Sequence, residues 1–216
     1  MKHDIQNQMN LWDSPVSRLV SPFSETLNMP DAEVVFYPTF FEEQESNKLF
    51  RQLSQEIKWQ QDKIKHYGKE IDLPRLTAWY GDAGKSYTYS HIAMKSEPWT
   101  PILLYIKNRI EEVVEVSFNS VLLNLYRSGK DSVSWHQDNE RELGENPVIG
   151  SVSFGGIRRF QFRHRLKKDI GKVDLNLTPG SLLIMKGTTQ QCWQHQIPKT
   201  SKPVLPRINL TFRVIK

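Results

Sequence analysis

The chain has 216 residues, a formal net charge of +5, 38% hydrophobic and 25% charged residues. That length suits one domain with a core large enough to need no disulfide or structural metal. The composition excludes wholesale disorder. No run of about 18 apolar residues could cross a membrane as a helix, and the N-terminus lacks the apolar core of a secretory leader. Cys192 is the only cysteine, which excludes an intrachain disulfide and predicts a reducing intracellular setting, cytoplasmic in a bacterium or nuclear in a eukaryote. The positive balance suits a polyanionic partner, although many soluble chains carry it without one. Nothing in the sequence calls for more than a monomer.

Residues 1–30 are rich in Ser, Pro, Asn and Gln and read as an arm, poorly ordered or packed on the body through Leu11 and Trp12. A single domain over 31–216 is expected to follow. Ala32–Tyr37 reads as a short strand. Over Glu42–Ile57, Leu49, Phe50, Leu53 and Ile57 recur on one helical face. Thr100-Pro101 predicts the start of a second helix, with Thr as N-cap and Pro in the first position. Its buried face would be Ile102, Leu103, Ile106, Ile110, Val113 and Val114.

From residue 117 the texture becomes β-rich. Runs at Val121–Arg127, Val133–His136, Val148–Phe154, Phe160–His164, Val173–Leu177, Ser181–Met185, Gln191–Ile197 and Arg207–Ile215 alternate with Gly- and Pro-bearing breaks. So many short, punctuated strands predict a sandwich, barrel or jelly roll with the two helices packed outside.

Two constellations carry chemistry. His136-Gln137-Asp138 puts an imidazole and a carboxylate at i and i+2, the same side of a strand. His195, in Trp193-Gln194-His195-Gln196, offers a second imidazole. Two histidines and a carboxylate with open positions make the facial triad of non-haem iron(II) oxygenases; zinc can use the same ligand types, and His-x-Asp also arises by chance. Arg207-x-Asn209-x-Thr211-x-Arg213 alternates strictly with Ile, Leu, Phe and Val. The polar face could simply meet water. If it lines an interior pocket, its two arginines need an anion, and a dicarboxylate matches their planar forks. Asn124 and Tyr126 share a face in an otherwise apolar run, as a solvated face or as further hydrogen-bonding groups to the same carboxylates.

Together these residues resemble the AlkB family of nucleic-acid dealkylating dioxygenases: Asn124-x-Tyr126, His136-x-Asp138, His195 and Arg207-x-Asn209-x-Thr211-x-Arg213 occur in the family's order. Pro74-Arg75, Trp79-Tyr80-Gly81-Asp82-Ala83-Gly84, Tyr87-Thr88-Tyr89-Ser90, Ser151–Gly155 and Arg163-His164 also match, so the resemblance covers roughly residues 31–216. It implies a mainly β, α+β fold: a double-stranded β-helix (jelly-roll, cupin-like) core over 117–216, preceded over 31–116 by helices and a nucleotide-recognition lid. It implies iron(II) held by His136, Asp138 and His195. It also implies 2-oxoglutarate held by Arg207 and Arg213 with Asn124, Tyr126, Asn209 and Thr211, and dioxygen as the other cosubstrate. Arg213 is expected at the distal carboxylate and Arg207 at the metal end. The implied activity is oxidative demethylation of 1-methyladenine and 3-methylcytosine in DNA or RNA, with release of formaldehyde and succinate. An oxygenase acting on RNA only, on protein or on a small metabolite is the alternative, and a non-catalytic jelly-roll binding module is a third.

On the substrate side, Trp79, Tyr87, Thr88 and Tyr89 are candidates for holding a flipped base, although aromatics more often fill cores. Tyr67-Gly68-Lys69 aligns with a hairpin that carries an aromatic wedge in duplex-repairing relatives. Asn139 stands where those relatives often have an acid, with Glu140 beside it. Arg163 and His164 lie in the basic stretch from Arg158 to Lys168, which reads as phosphate-contacting or as a solvated face, with His164 surface or substrate-facing.

Overall fold

The computed structural model describes residues 23–66, 69–83, 86–89 and 92–216. In chain order the strands are β1 (Glu25–Thr26), β2 (Glu33–Tyr37), β3 (Lys63–His66), β4 (Lys69–Asp72), β5 (Leu76–Gly81), β6 (Ser86–Tyr89), β7 (Ile92–Lys95), β8 (Ser120–Tyr126), β9 (Val133–His136), β10 (Ile149–Gly155), β11 (Arg158–His164), β12 (Val173–Leu177), β13 (Ser181–Lys186), β14 (Trp193–Ile197) and β15 (Arg207–Arg213). The helices are α1 (Glu43–Glu56), α2 (Pro101–Val114) and the single turn α3 (Thr189–Cys192). No helix among the described residues is long and apolar enough to cross a membrane.

Strands β8 to β15 form two facing antiparallel sheets. The larger runs β1-β2-β13-β10-β15-β8-β5 and the smaller β12-β11-β14-β9. Successive core strands alternate between the sheets except for the β11–β12 hairpin, which stays in the smaller one, and this is the jelly roll. The larger sheet extends past the core at both edges, by β2 and β1 on one side and β5 on the other. Residues 25–30, assigned to the arm by composition, thus belong in part to the body: Glu25 and Thr26 pair with Phe36 and Val35, and Met29 is buried. Leu11 and Trp12 lie outside the described residues.

The larger sheet is buried on both faces, and its strands serve two cores. Ile208, Leu210 and Phe212 of β15 meet Leu49 and Leu53 of α1 and Ile102, Leu103 and Ile106 of α2 on the outer face. Each such fully buried side chain contributes about 1.5–3 kcal/mol. Both helices match their expected positions. Thr100 Oγ1 accepts from Leu103 N at 3.4 Å, Pro101 opens α2, and Arg109 pairs with Glu45 at 3.2 Å to tie α2 to α1. The inner face meets the smaller sheet through Leu122, Leu183, Phe160 and Phe162.

Strand β5 was not expected from the sequence, and it roots two antiparallel hairpins, β3–β4 and β6–β7, on the edge of the larger sheet. Gln60, just before β3, exchanges backbone hydrogen bonds with Thr77 at 2.8 and 2.9 Å. After β7, Glu97 bonds to Trp79 and Gly81, each at 3.0 Å. At the β10–β11 turn Gly155 has φ +83°, and a Cβ on Gly156 would lie 2.1 Å from the Leu205 carbonyl oxygen, so only glycine permits this close approach to the β14–β15 loop.

Candidate active site

The register brings one polar row onto the inner face of the larger sheet. Across β8 and β15, Tyr126 stands opposite Arg207, Asn124 opposite Asn209, Leu122 opposite Thr211 and Ser120 opposite Arg213. On the other side of β15, Ser151 and Ser153 of β10 face Thr211 and Asn209. The alternation in β15 therefore does not separate core from water. It separates an apolar core from a polar interior, and Arg207 (1% exposed) and Arg213 (4%) are both inside. A cavity between the sheets is lined by Asn124, Tyr126, Ser151, Arg207, Asn209, Thr211 and Arg213 together with His136, Asp138 and His195.

The three candidate metal ligands lie together. Ligand atoms of His136, Asp138 and His195 lie within 4.8 Å of one another. Residue 136 pairs with residue 195 across β9 and β14, and the two imidazole centroids are 4.2 Å apart. His136 Nδ1 donates to the Ser134 carbonyl at 2.8 Å, which leaves Nε2 as the coordinating atom. His195 stacks on Phe160 at 5.2 Å and 21°. Asp138 reaches the site by a different route from the one expected. β9 ends at His136, and Asp138 lies in the following loop. Its backbone N–H is held by Gln190 Oε1 at 2.9 Å and its carboxylate by Arg213 at 2.7 Å.

The protonation states favour metal binding. Burial, then the neighbouring His136, pulls the His195 imidazole down to about 3. Burial also lowers His136. For Asp138, burial alone would raise the carboxyl, but Arg213 and the two histidines outweigh it and hold it below the usual range. At neutral pH the three groups are thus two neutral imidazoles and a carboxylate, the forms that ligate a divalent cation.

The far end of the cavity is built for an anion. Arg207 Nη2 donates to Ser153 Oγ at 2.9 Å, while its Nε and Nη1 are buried with no hydrogen-bond partner among the described residues. Burial, with Arg158 nearby, lowers this guanidinium to about 10, so it stays charged. Open donors on a buried cation match a carboxylate. Arg213, expected at the distal carboxylate, is instead bonded to Asp138 beside the two histidines, and Arg207 lies at the other end of β15. Asn209 donates to Ser151 Oγ at 2.9 Å and accepts from Thr211 Oγ1 at 3.1 Å. Asn124 Oδ1 accepts from Arg75 Nε at 2.7 Å, so what Asn124 offers a ligand is its amide nitrogen.

The substrate candidates fare unevenly. Trp79 is on the cavity side of β5, opposite Leu122, but it is 3% exposed and packs in the inter-sheet core rather than lining the cavity. Tyr87, Thr88 and Tyr89 form β6, paired with Met94, Ala93 and Ile92; only their backbone is described. Tyr67 and Gly68 lie outside the described residues, and Lys69 begins β4. Asn139 is exposed and Glu140 half-buried, just past Asp138.

His164 is neither at the surface nor free for substrate. It is 4% exposed, its Nδ1 accepts from the backbone N–H of Leu166 (3.2 Å) and Lys167 (2.9 Å), and Nε2 faces Asp31 at 3.2 Å. It caps a turn, because β11 alternation turns residue 164 inward. Arg163 points outward, bonds Gln194 at 2.7 and 3.0 Å and lies 4.3 Å from the centre of Trp135. Gln190, Ser151 and Ser153 carried no predicted role. A glutamine beside a short turn gives no periodic signal, and the alternation of Ser151 and Ser153 does not say what their face meets; only the register does.

Comparisons with known proteins agree with this geometry. The sequence profile of the 2OG-Fe(II) oxygenase superfamily matches residues 33–213. The chain is 43% identical over 192 residues to the human alpha-ketoglutarate-dependent dioxygenase alkB homolog 3, covering 85% of this chain and 66% of that protein, so it spans just under two thirds of that relative. It is 40% identical over 188 residues to the mouse DNA oxidative demethylase ALKBH2, covering 83% of this chain and 79% of that protein. The solved structure of OsALKBH1 matches at a TM-score of 0.62 and 15% identity, over 88% of this chain and 99% of that one, a likeness of fold.

Proposed function

The chain belongs to the AlkB family within the 2OG-Fe(II) oxygenase superfamily, and from that premise we propose that it oxidatively removes N-alkyl groups from 1-methyladenine and 3-methylcytosine in DNA, with RNA as a second substrate. One observation carries the reading. His136, Asp138 and His195 open onto the same cavity as Nε and Nη1 of Arg207, which have no hydrogen-bond partner among the described residues. A chelating cosubstrate with a second, distal carboxylate fits both ends of that cavity.

Iron(II), 2-oxoglutarate and dioxygen, when bound, supply the oxidising power, and succinate, carbon dioxide and formaldehyde are the products. The chain supplies position and charge. His136 and His195 offer neutral nitrogens, the first oriented by Ser134. Asp138 is held from two sides by Gln190 and Arg213, so its carboxylate cannot swing away. Arg207 anchors the distal carboxylate, and Asn124, Tyr126 and Thr211 line the path between. Phe160 stacked on His195 keeps that ring fixed and the site dry.

The substrate assignment draws on the ALKBH2 relatives, named DNA oxidative demethylases, and on the two hairpins rooted on β5. An alkyl group on the Watson–Crick edge is out of reach in a duplex, so the base must leave the stack to meet the metal. The lone cysteine fits a reducing compartment, and a monomer suffices for a cavity built wholly from one chain. The test is formaldehyde release from a 1-methyladenine oligonucleotide. Asp138→Ala should abolish it while leaving the circular dichroism spectrum intact. Undiminished release from that variant would sink the assignment.

A further inference from the structure

Behind the distal end of the cavity lies an arginine that the proposed reaction has not used. Arg158 starts β11, one residue after the Gly155-Gly156 turn, and is 2% exposed. Its Nη2 donates to the carbonyls of Asp131 (2.9 Å) and Pro198 (2.8 Å), and its Nη1 to that of Ser128 (3.2 Å). These acceptors belong to two loops, β8–β9 and β14–β15, which also meet each other where Thr200 N donates to the Gly129 carbonyl at 2.9 Å. The β10–β11 turn closes on the same place through Gly156 N and the Pro206 carbonyl at 2.7 Å. Arg158 is therefore the tie at the end of the barrel where three connections converge.

That tie bears on the cavity through Tyr126. The Arg158 guanidinium carbon is 5.6 Å from the Tyr126 ring centre, and that of Arg207 is 5.2 Å from the same ring. Two buried cations thus lie against one aromatic ring. The acceptors bonded to Arg158 are neutral carbonyls, and the carboxylate that attracts it, that of Asp131, is shared with Arg127. An anion on the cavity side eases the remaining repulsion between the two cations. Arg158 does not line the cavity; Tyr126 and Arg207 do.

We propose that Arg158 is a positioning residue of the dicarboxylate pocket: it fixes Tyr126 and the loops behind it, so that Arg207 presents its open donors to a distal carboxylate, and it adds a second positive charge behind that end. This rests on reading the cavity as the 2-oxoglutarate site.

The experiment is calorimetric binding of two ligands to the manganese(II)-loaded full-length chain: 2-oxoglutarate, and 2-oxopentanoate, which keeps the metal-chelating end and replaces the distal carboxylate with a methyl group. Arg158→Met should bind 2-oxoglutarate about tenfold more weakly, the effect of removing a charge that acts at second hand, and should bind 2-oxopentanoate as the parent does. Arg158→Lys should recover part of the loss. Where Arg158→Met does not fold, Arg158→Gln, which still donates to a carbonyl, takes its place. Equal loss for both ligands means Arg158 serves only the fold, and no loss for either means it serves neither; both overturn the proposal and leave the 2-oxoglutarate site standing. Failure of the parent protein to bind 2-oxoglutarate overturns the site itself, and this proposal with it.

Discussion

Replacing Gln190 by leucine tests whether the carboxylate ligand is held by the structure seen here. Gln190 is 1% exposed, and its Oε1 accepts the backbone N–H of Asp138 at 2.9 Å; its other contact, Nε2 to Met185 Sδ at 3.4 Å, is weak. Leucine has similar bulk, so little cavity is created. What is lost is the partner of a buried N–H, which costs about 1–3 kcal/mol. For a chain of this size that lowers the melting temperature of the metal-free protein by roughly 2–4 °C per kcal/mol. Asp138 keeps Arg213 but loses the backbone restraint, and losing such outer support typically weakens metal binding about 10–100-fold. Manganese(II) titration alongside thermal unfolding reads both effects. A variant that binds metal within twofold of the parent, at unchanged stability, would refute the idea that Gln190 sets the position of Asp138.

Arg207→Met removes the charge-assisted bonds proposed for the distal carboxylate. At about 1.5–3 kcal/mol, that loss predicts a KM for 2-oxoglutarate raised roughly 10–100-fold; an unchanged KM would place the cosubstrate elsewhere. His164→Ala strands the N–H groups of Leu166 and Lys167, so it should lose about 1–3 kcal/mol of stability. Its oligonucleotide affinity should not change, and weakened oligonucleotide binding at full stability would restore a substrate role. In the chelator-treated protein, His195 titrates near 3 when folded and near 6.5 when unfolded. The unfolded chain therefore holds more protons between those values, and stability should fall as pH drops from about 6.5 towards 3. His195→Leu should flatten that slope in urea titrations, and a slope that survives the substitution points to other groups.

Much of this was legible in the sequence because period-two and helical patterns survive into the fold. Leu49, Leu53 and Ile57 mark α1, Thr100-Pro101 marks the start of α2, and the β15 alternation foretold which residues share a face. The sequence does not carry information about what faces what. The polar face of β15 could have met water; only the opposing sheet makes it a cavity. That Arg213 and not Arg207 meets Asp138 depends on which end of β15 lies beside it, a matter of register with His136 and His195 on other strands. β5 was missed because residues 76–81 are buried on nearly every position and show no alternation. Gln191-Cys192 was read as strand, but a single helical turn, Thr189–Cys192, precedes β14. His164 misled because its neighbours Arg163 and Arg165 are charged, while its own side chain turns inward.

Coupled product release is the most direct test of the proposed activity. Iron(II)-loaded protein, prepared without oxygen, would be offered matched single- and double-stranded DNA and RNA oligonucleotides carrying one 1-methyladenine. Formaldehyde and succinate appearing together on DNA, and neither appearing when 2-oxoglutarate is omitted, is the predicted result. Succinate without formaldehyde from any oligonucleotide would leave an oxygenase whose substrate is not an alkylated base, and would contradict the central claim.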